Sequence, residues 1–179
     1  YLKSVKPDFL INCVAISNVE KCEINKKKTF TVNSKLPEII ARICKKLSIH
    51  YTFISSDHLY AGKKKYYIEN DKVHPLNIYS RSKILAENNI LKVSKNFLII
   101  RTNFFGFGPS FRNSFLDGII KNLKGGRDTT LFSDVFYTPI YVRRLIRVID
   151  ILIENKKYGI FNVSGNKRLT KYEFGIKIA

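Results

Sequence analysis

Apolar positions along the chain fall into two alternating kinds of segment. Short, nearly continuous runs occur at Phe9-Leu10-Ile11-Asn12-Cys13-Val14, Tyr51-Thr52-Phe53-Ile54-Ser55 and Phe97-Leu98-Ile99-Ile100-Arg101. Their length and their β-branched and aromatic content predict strands buried on both faces. Between them the spacing is helical. Residues 19–47 read as mainly helix, with Leu36, Ile39, Ile40, Ile43 and Leu47 on one apolar face. Ile78 to Val93 reads as a second helix, with Ile84, Leu85, Ile90 and Leu91 as its apolar positions. A polar loop holding Gly62, Asp71 and Pro75 separates that helix from the strand before it. Strands alternating with helices predict an α/β fold with a doubly wound parallel sheet. Such sheets bind ligands beyond the carboxyl ends of their strands, here just after Val14, Ile54 and Ile100.

The second part of the chain is less regular. A Gly- and Phe-rich loop, Phe104 to Gly108, leads to a predicted helix near Ser114–Leu123 and a Gly125-Gly126 turn. A short strand near Thr130–Phe132, a helix from Val142 to Glu154 and a strand at Gly159–Val163 follow. Thr170 and Glu173 have the spacing of a capping box, so a last helix should start there. The chain opens on Tyr1-Leu2-Lys3-Ser4, contains no Met and stops inside that helix, which reads as a segment of a longer protein at both ends.

Composition narrows the function classes. With 45% hydrophobic residues the 179-residue chain can build a core and is not of disordered type. No apolar run approaches the roughly 20 residues of a membrane span, so no membrane role is expected. The net charge of +18 raises nucleic-acid binding. The lysines are scattered, however, in Lys26-Lys27-Lys28, Lys45-Lys46, Lys63-Lys64-Lys65 and Lys156-Lys157. No zinc-finger spacing or basic-region helix accompanies them. The expectation is no nucleic-acid partner, with the charge left to attract an anionic cofactor or nucleotide. Cys13, Cys22 and Cys44 show no CxxC spacing, and Cys13 and Cys44 are expected as buried thiols. His50, His58 and His74 are too dispersed for a metal cluster, so no metal site is expected.

The chemistry concentrates on two segments. Tyr79 and Lys83 lie four apart on the predicted helix and share one face. A phenol with its ordinary pKa near 10 is a poor acid–base group, and a nearby cation stabilises its phenolate. Ser55-Ser56-Asp57 ends a predicted strand some two dozen residues earlier, and a hydroxyl there can join Tyr79 at one carbonyl oxygen. YxxxK alone arises easily on a Lys-rich helix, and strand-end serines often serve turns or caps. The combination in order, with Pro75-Leu76-Asn77-Ile78 leading into Tyr79, is the stronger signal.

These segments resemble the extended short-chain dehydrogenase/reductase superfamily, and within it the dTDP-4-dehydrorhamnose reductase family. Asn12 to Glu23 resembles that family's strand and turn at the cofactor. Ser55-Ser56-Asp57-His58-Leu59-Tyr60-Ala61-Gly62 resembles its S-T-D-Y-V-F-x-G, and Asn77 to Lys83 its N-x-Y-G-x-[ST]-K. Arg101-Thr102-Asn103-Phe104 resembles its R-T-S-W, and Thr138 to Val142 and Tyr172-Glu173-Phe174 resemble later segments. The resemblance implies a Rossmann-like fold. Residues 1–105 would be the C-terminal part of the NAD(P)-binding domain, and 106–179 a small substrate-binding region interleaved with its last elements. It implies a cytoplasmic enzyme that reduces a 4-keto nucleotide sugar with NADPH or NADH, and it is compatible with a homodimer. Tyr79 would donate a proton to the substrate oxygen and Ser56 would hydrogen-bond it. Lys83 would bind the nicotinamide ribose and help lower the Tyr79 pKa. Val14, Ala15, Ile16 and Ile54 would line the cofactor, and Asp57 and Phe104 would touch substrate. Asn33 resembles a recurrent asparagine of the cofactor domain and reads more strongly as a structural hydrogen-bonder.

Several positions depart from the pattern. Ser56 stands in a Thr slot, His58 in a Tyr slot, Ser80 in a Gly slot and Phe104 in a Trp slot. The Gly-rich turn that binds the pyrophosphate in such folds is not in the chain, which the resemblance starts just before the family's fourth strand. Two other functions remain open. One is an epimerase or dehydratase of the same fold, although dehydratases place a Glu where His58 stands. The other is a non-catalytic, cofactor-binding regulatory subunit.

Overall fold

The computed structural model describes residues 2–179. A first turn of helix, α1 (Leu2–Val5), precedes β1 (Phe9–Asn12). The predicted helical region 19–47 is α2 (Val19–Ile24), α3 (Lys26–Phe30), a π-helical turn (Thr31–Lys35) and α4 (Leu36–Lys46). Asn18 and Asn25 cap α2 and α3 by accepting backbone N–H bonds from Lys21 and Lys28, which explains the interruption at Asn25. Then come β2 (His50–Ile54), a 3-10 turn (Asp57–Leu59), α5 (Ile78–Val93) and β3 (Leu98–Thr102). The remaining elements are β4 (Phe104–Phe105), α6 (Phe115–Lys124), β5 (Phe136–Tyr137), β6 (Ile140–Tyr141), α7 (Val142–Glu154), β7 (Gly159–Val163), β8 (Leu169–Thr170) and α8 (Lys171–Ile178). Thr170 and Glu173 form the expected capping box of α8.

The main sheet has the order β1-β2-β3-β7, with β1–β2 and β2–β3 parallel. This is the Rossmann-like parallel sheet with flanking helices. The chain divides into two compact units. The first comprises Tyr1–Arg101 and Lys156–Asn162, the second Thr102–Asn155 and Val163–Ala179. The first unit's core packs Ala41, Cys44, Tyr51, Phe53, Ala86, Ile90 and Ile99 between the sheet and the helices α4 and α5. In the second unit Leu116, Ile119, Tyr137 and Phe174 form the core, with Phe105 and Leu131 packed against it.

Four expectations are corrected. The first strand is not buried on both faces. It is the outermost strand of the described sheet, and Phe9 (55%), Ile11 (44%) and Val14 (53%) are exposed. Cys13 is exposed for the same reason, whereas Cys44 is buried on α4. The buried face of α4 carries Pro37, Ala41 and Cys44, while Ile39 and Ile43 point outward. Ile40 and Leu47 do pack against the core, so the buried stripe runs through Pro37, Ile40, Ala41, Cys44 and Leu47, beside the expected one. No strand forms at Thr130–Phe132; Leu131 is used as a packing residue, and the pairing strand is β5, antiparallel to β8.

Gly165 and Gly118 allow a paired test of this packing. A Cβ at Gly165 would lie 2.1 Å from the Pro139 carbonyl oxygen, a backbone atom that cannot swing away. A Cβ at Gly118, inside α6, meets nothing within 4 Å. In the full-length protein Gly165→Ala should destabilise by about 1–3 kcal/mol. Gly118→Ala should stabilise by about 0.5–1 kcal/mol. Urea denaturation measures both, and equal midpoints would contradict the close approach at Gly165.

Candidate active site

The site is built on the first turns of α5. Asn77 caps the helix in a capping box with Ser80, and Glu23 of α2 accepts the Ile78 N–H at 2.7 Å. Four unpaired N–H groups start every helix, so these acceptors fix where α5 begins and how Tyr79 leaves it. Tyr79 and Lys83 then project from one face toward the end of β2, and Glu87 follows on the same face.

Ser56, the N-cap of the 3-10 turn after β2, is buried close to the Tyr79 phenol, and its hydroxyl accepts the His58 N–H at 3.2 Å. Burial pushes the Tyr79 pKa up, the Ser56 hydroxyl pulls it down, and the Asp57 charge adds to the rise; the net direction is upward. The expected lowering through Lys83 is not the balance found. Lys83, 2% exposed, donates to the Ile54 carbonyl at 2.5 Å and stands 4.1 Å from the centroid of the Phe53 ring. Burial brings its pKa down to about 8, against opposing pulls from Glu87 and Cys13. The His58 ring meets Tyr79 edge-on, centroids 6.0 Å apart, and its Nε2 is 4.0 Å from Asp57.

Val14, Ala15 and Ile16 form the turn after β1, on the same carboxyl edge of the sheet as Ser56. Asn12 accepts the Val14 N–H at 3.0 Å. Asn33, fully buried in the π-helical turn, accepts the Ile16 N–H at 2.8 Å and donates to the Ile16 carbonyl at 3.0 Å. Its amide also donates to Ser82 Oγ at 3.1 Å, and Ser82 donates to the Tyr79 carbonyl at 2.6 Å. Asn33 thus joins the turn to α5, the structural role its sequence context favours. The structure brings Ser56, Asp57, Tyr79, Lys83 and Ile54 together in the first unit. Phe104 belongs to the second unit, where it lies exposed in β4 and pairs with Ile140.

Sequence reasoning missed Glu87, Arg101 and Tyr60. Glu87 is buried and accepts from Arg101 Nη2 at 2.7 Å and from Ser55 Oγ at 2.6 Å. Arg101 Nη1 donates to the Tyr60 hydroxyl at 2.7 Å. A glutamate four residues after Lys83, on the face that has to be buried, was the available signal. Among the described residues no His, Cys, Asp and Glu cluster could hold a metal ion, and no helix is long and apolar enough to cross a membrane.

A hydroxyl, a phenol and a buried lysine at the carboxyl edge of a parallel sheet define the extended short-chain dehydrogenase/reductase class. Within that class, the model of the RmlD substrate binding domain matches residues 1–179, and the chain belongs to that family. It is 30% identical to a probable low-salt glycan biosynthesis reductase of Haloferax volcanii, over 96% of this chain and 58% of that protein. It superposes on a hypothetical dTDP-4-dehydrorhamnose reductase from Sulfolobus tokodaii with a TM-score of 0.89 at 34% identity, covering 99% of this chain and 62% of the other. For the dTDP-4-dehydrorhamnose reductase of Bacillus anthracis in complex with NADP the TM-score is 0.93 at 25% identity, covering 99% and 63%. The chain therefore spans about three fifths of the length of the relatives it matches.

The Lys83 environment gives a pH test. Its folded pKa of about 8 lies below the ordinary 10.5, so the unfolded chain binds more protons between those values. The cost of burying the charge is fully present below pH 8 and is relieved as pH rises toward 10.5. Relative to a Lys83→Met variant, the parent should gain up to about 3 kcal/mol between pH 7 and pH 10.5. Urea denaturation of both full-length proteins across that range checks the slope. A constant difference would place the Lys83 pKa at its ordinary value.

Proposed function

We propose that the full-length protein reduces a 4-keto nucleotide sugar with NADPH or NADH. The observation that carries this reading is the meeting of Ser56, Tyr79 and the buried Lys83 at the carboxyl edge of the sheet. The relatives named above support the substrate class and the cofactor. A reduced nicotinamide would supply the hydride. The chain's own residues supply the proton and its placement. Ser56 and Tyr79 polarise one keto oxygen, and Tyr79, held protonated by burial, delivers the proton to it. Lys83 has three donors, of which the Ile54 carbonyl takes one, and an ammonium so placed suits the hydroxyls of a ribose. The turn Val14–Ile16, fixed by Asn33, lines the nicotinamide side together with Ile54. Asp57 and Phe104 are proposed to touch substrate, the latter on the strength of its slot in the family pattern. Residues 106–179 would belong to the substrate half of the protein.

A dehydratase needs a second acid–base group beyond the tyrosine, and its glutamate slot holds His58. This favours reduction over elimination. In the full-length enzyme Tyr79→Phe keeps the ring and removes the proton. Turnover should fall by roughly 100-fold or more with cofactor affinity little changed. Near-parental turnover would remove Tyr79 from the mechanism. Reaction type is read separately, by following the absorbance of reduced nicotinamide with keto nucleotide sugars. One NAD(P)H should be consumed per product. Product without net loss of NAD(P)H would replace the reductase reading with an epimerase or dehydratase.

A further inference from the structure

Glu87 lies one helical turn beyond Lys83, on the same face of α5. Its carboxylate is enclosed by donors: Arg101 Nη2 at 2.7 Å, Arg101 Nε at 3.1 and 3.2 Å, and Ser55 Oγ at 2.6 Å. The side chains of Arg101 and Glu87 are 6% and 3% exposed. Arg101 continues through Nη1 to the Tyr60 hydroxyl and the Glu69 carbonyl, and Tyr60 also bonds Asn162 at 3.0 Å. Burying two charges is costly, and a well-packed apolar pair of similar volume is often as stable or more so. Stability alone therefore does not account for the pair. Its position does.

We propose that Glu87 is a positioning residue for the Tyr79–Lys83 pair: held by Arg101 of β3 and Ser55, it locks the catalytic face of α5 against the strand end that carries Ser56. The proposal rests on the reductase reading of Tyr79 and Lys83. Two residues four apart on α5 grip two consecutive residues at the end of β2. Lys83 holds the Ile54 carbonyl and Glu87 holds the Ser55 hydroxyl. The next residue along is Ser56, the partner of Tyr79. One grip leaves the strand end free to turn about a single bond, and two fix its direction. A misplacement of about 1 Å at reacting atoms can cost about 100-fold in rate. The charge of Glu87 also works on Lys83, opposing the loss of its proton. Cys13 faces Lys83 from beyond β1, Arg101 faces Glu87 from β3, and Tyr60 of the loop after β2 accepts from Arg101.

The test uses the full-length protein with two variants. Glu87→Gln keeps volume and an acceptor for Ser55 while removing the charge. The double variant Glu87→Met with Arg101→Met removes both charges and keeps an apolar fill, so that it can fold even where the single change does not. Two readouts are taken beside the melting temperature. The first is turnover with KM for cofactor and for substrate. The second is backbone amide exchange at Ser56 and His58, with the amides of α7 as internal reference. The double variant is expected to melt within a few degrees of the parent. Its turnover should fall about tenfold or more, mainly in kcat, and exchange at Ser56 and His58 should quicken about tenfold or more. In Glu87→Gln the alkaline limb of the rate profile should move to lower pH, because Lys83 loses the charge that opposes its deprotonation. A folded double variant with parental exchange at Ser56 and His58, or with parental turnover, overturns the proposal. If the parent itself reduces no keto nucleotide sugar, the reductase reading fails on its own. Amide exchange then still decides whether Glu87 holds the strand end.

Discussion

Tyr79, Lys83 and Glu87 occupy positions i, i+4 and i+8 of α5, and their polar ends all meet the three residues that close β2: Ser56, the Ile54 carbonyl and Ser55. Each of these groups is buried, and each would be costly without a partner. The helix and the strand end therefore satisfy one another, and neither could keep its place with an apolar substitute for the other. The site depends on this mutual requirement. Around it the fold supplies ordinary packing, with Ala86 and Ile90 on the neighbouring stripe of α5 set against Phe53 and Ile99 of the sheet. The apolar stripe sets the distance between helix and sheet. The polar stripe sets register and rotation, which apolar contacts specify poorly because they have no direction.

The electrostatics follow from the same burial. A phenol and an ammonium are placed in surroundings that penalise their charged forms, so Tyr79 is pushed toward holding its proton and Lys83 toward losing one. The two shifts suit different tasks. The proton-donor role proposed for Tyr79 needs the phenol protonated at neutral pH, the form that burial favours. The ribose-binding role proposed for Lys83 needs it charged there, and with a pKa of about 8 it remains mostly so. Glu87 works against the burial of Lys83, and Arg101 in turn prevents Glu87 from standing as an uncompensated charge. Each buried charge is answered by the next, and the series runs on through Tyr60 to Asn162, whose N–H donates to the Glu69 carboxylate at 2.7 Å.

The alternation of strands and helices was legible because the periods of 2 and 3.6 differ and because breakers fall between the segments. The boundaries of α5, α7 and β7 match the spacing read from the chain. Tyr79, Lys83 and Ser56 were legible as a pattern of residue types in order. Three things were not. The exposure of β1 depends on which strand lies beyond it, and a local apolar run is the same at an edge as in the middle of a sheet. The face of α4 turned because the small residues Ala41 and Cys44 are the ones set against the core, and a count of large apolar side chains passes over them while including the exposed Ile39 and Ile43. The Glu87–Arg101 pair joins residues 14 apart on different elements, so its members look like two ordinary surface charges until the helix is laid on the sheet.

The π turn also connects the two sides of the site. π-Helical geometry is rare and poorly paired, and it persists where something else requires it. Here the requirement is Asn33, whose single amide accepts from Ile16, donates to its carbonyl and donates to Ser82. Ser82 passes the link to the backbone of Tyr79, and Ser34, the next residue in the π turn, holds the Ser82 carbonyl at 2.7 Å. The turn after β1 therefore gains its rigidity from α5 rather than from a neighbouring strand. Ile16 and the Tyr79 carbonyl are thus joined through two side chains, Asn33 and Ser82. That link suits the proposed reaction, in which one side would line the cofactor that gives hydride to the carbonyl carbon and the other would give a proton to its oxygen. The α5 face grips the strand end and Asn33 grips the turn, so that both sides of the site are referred to one helix.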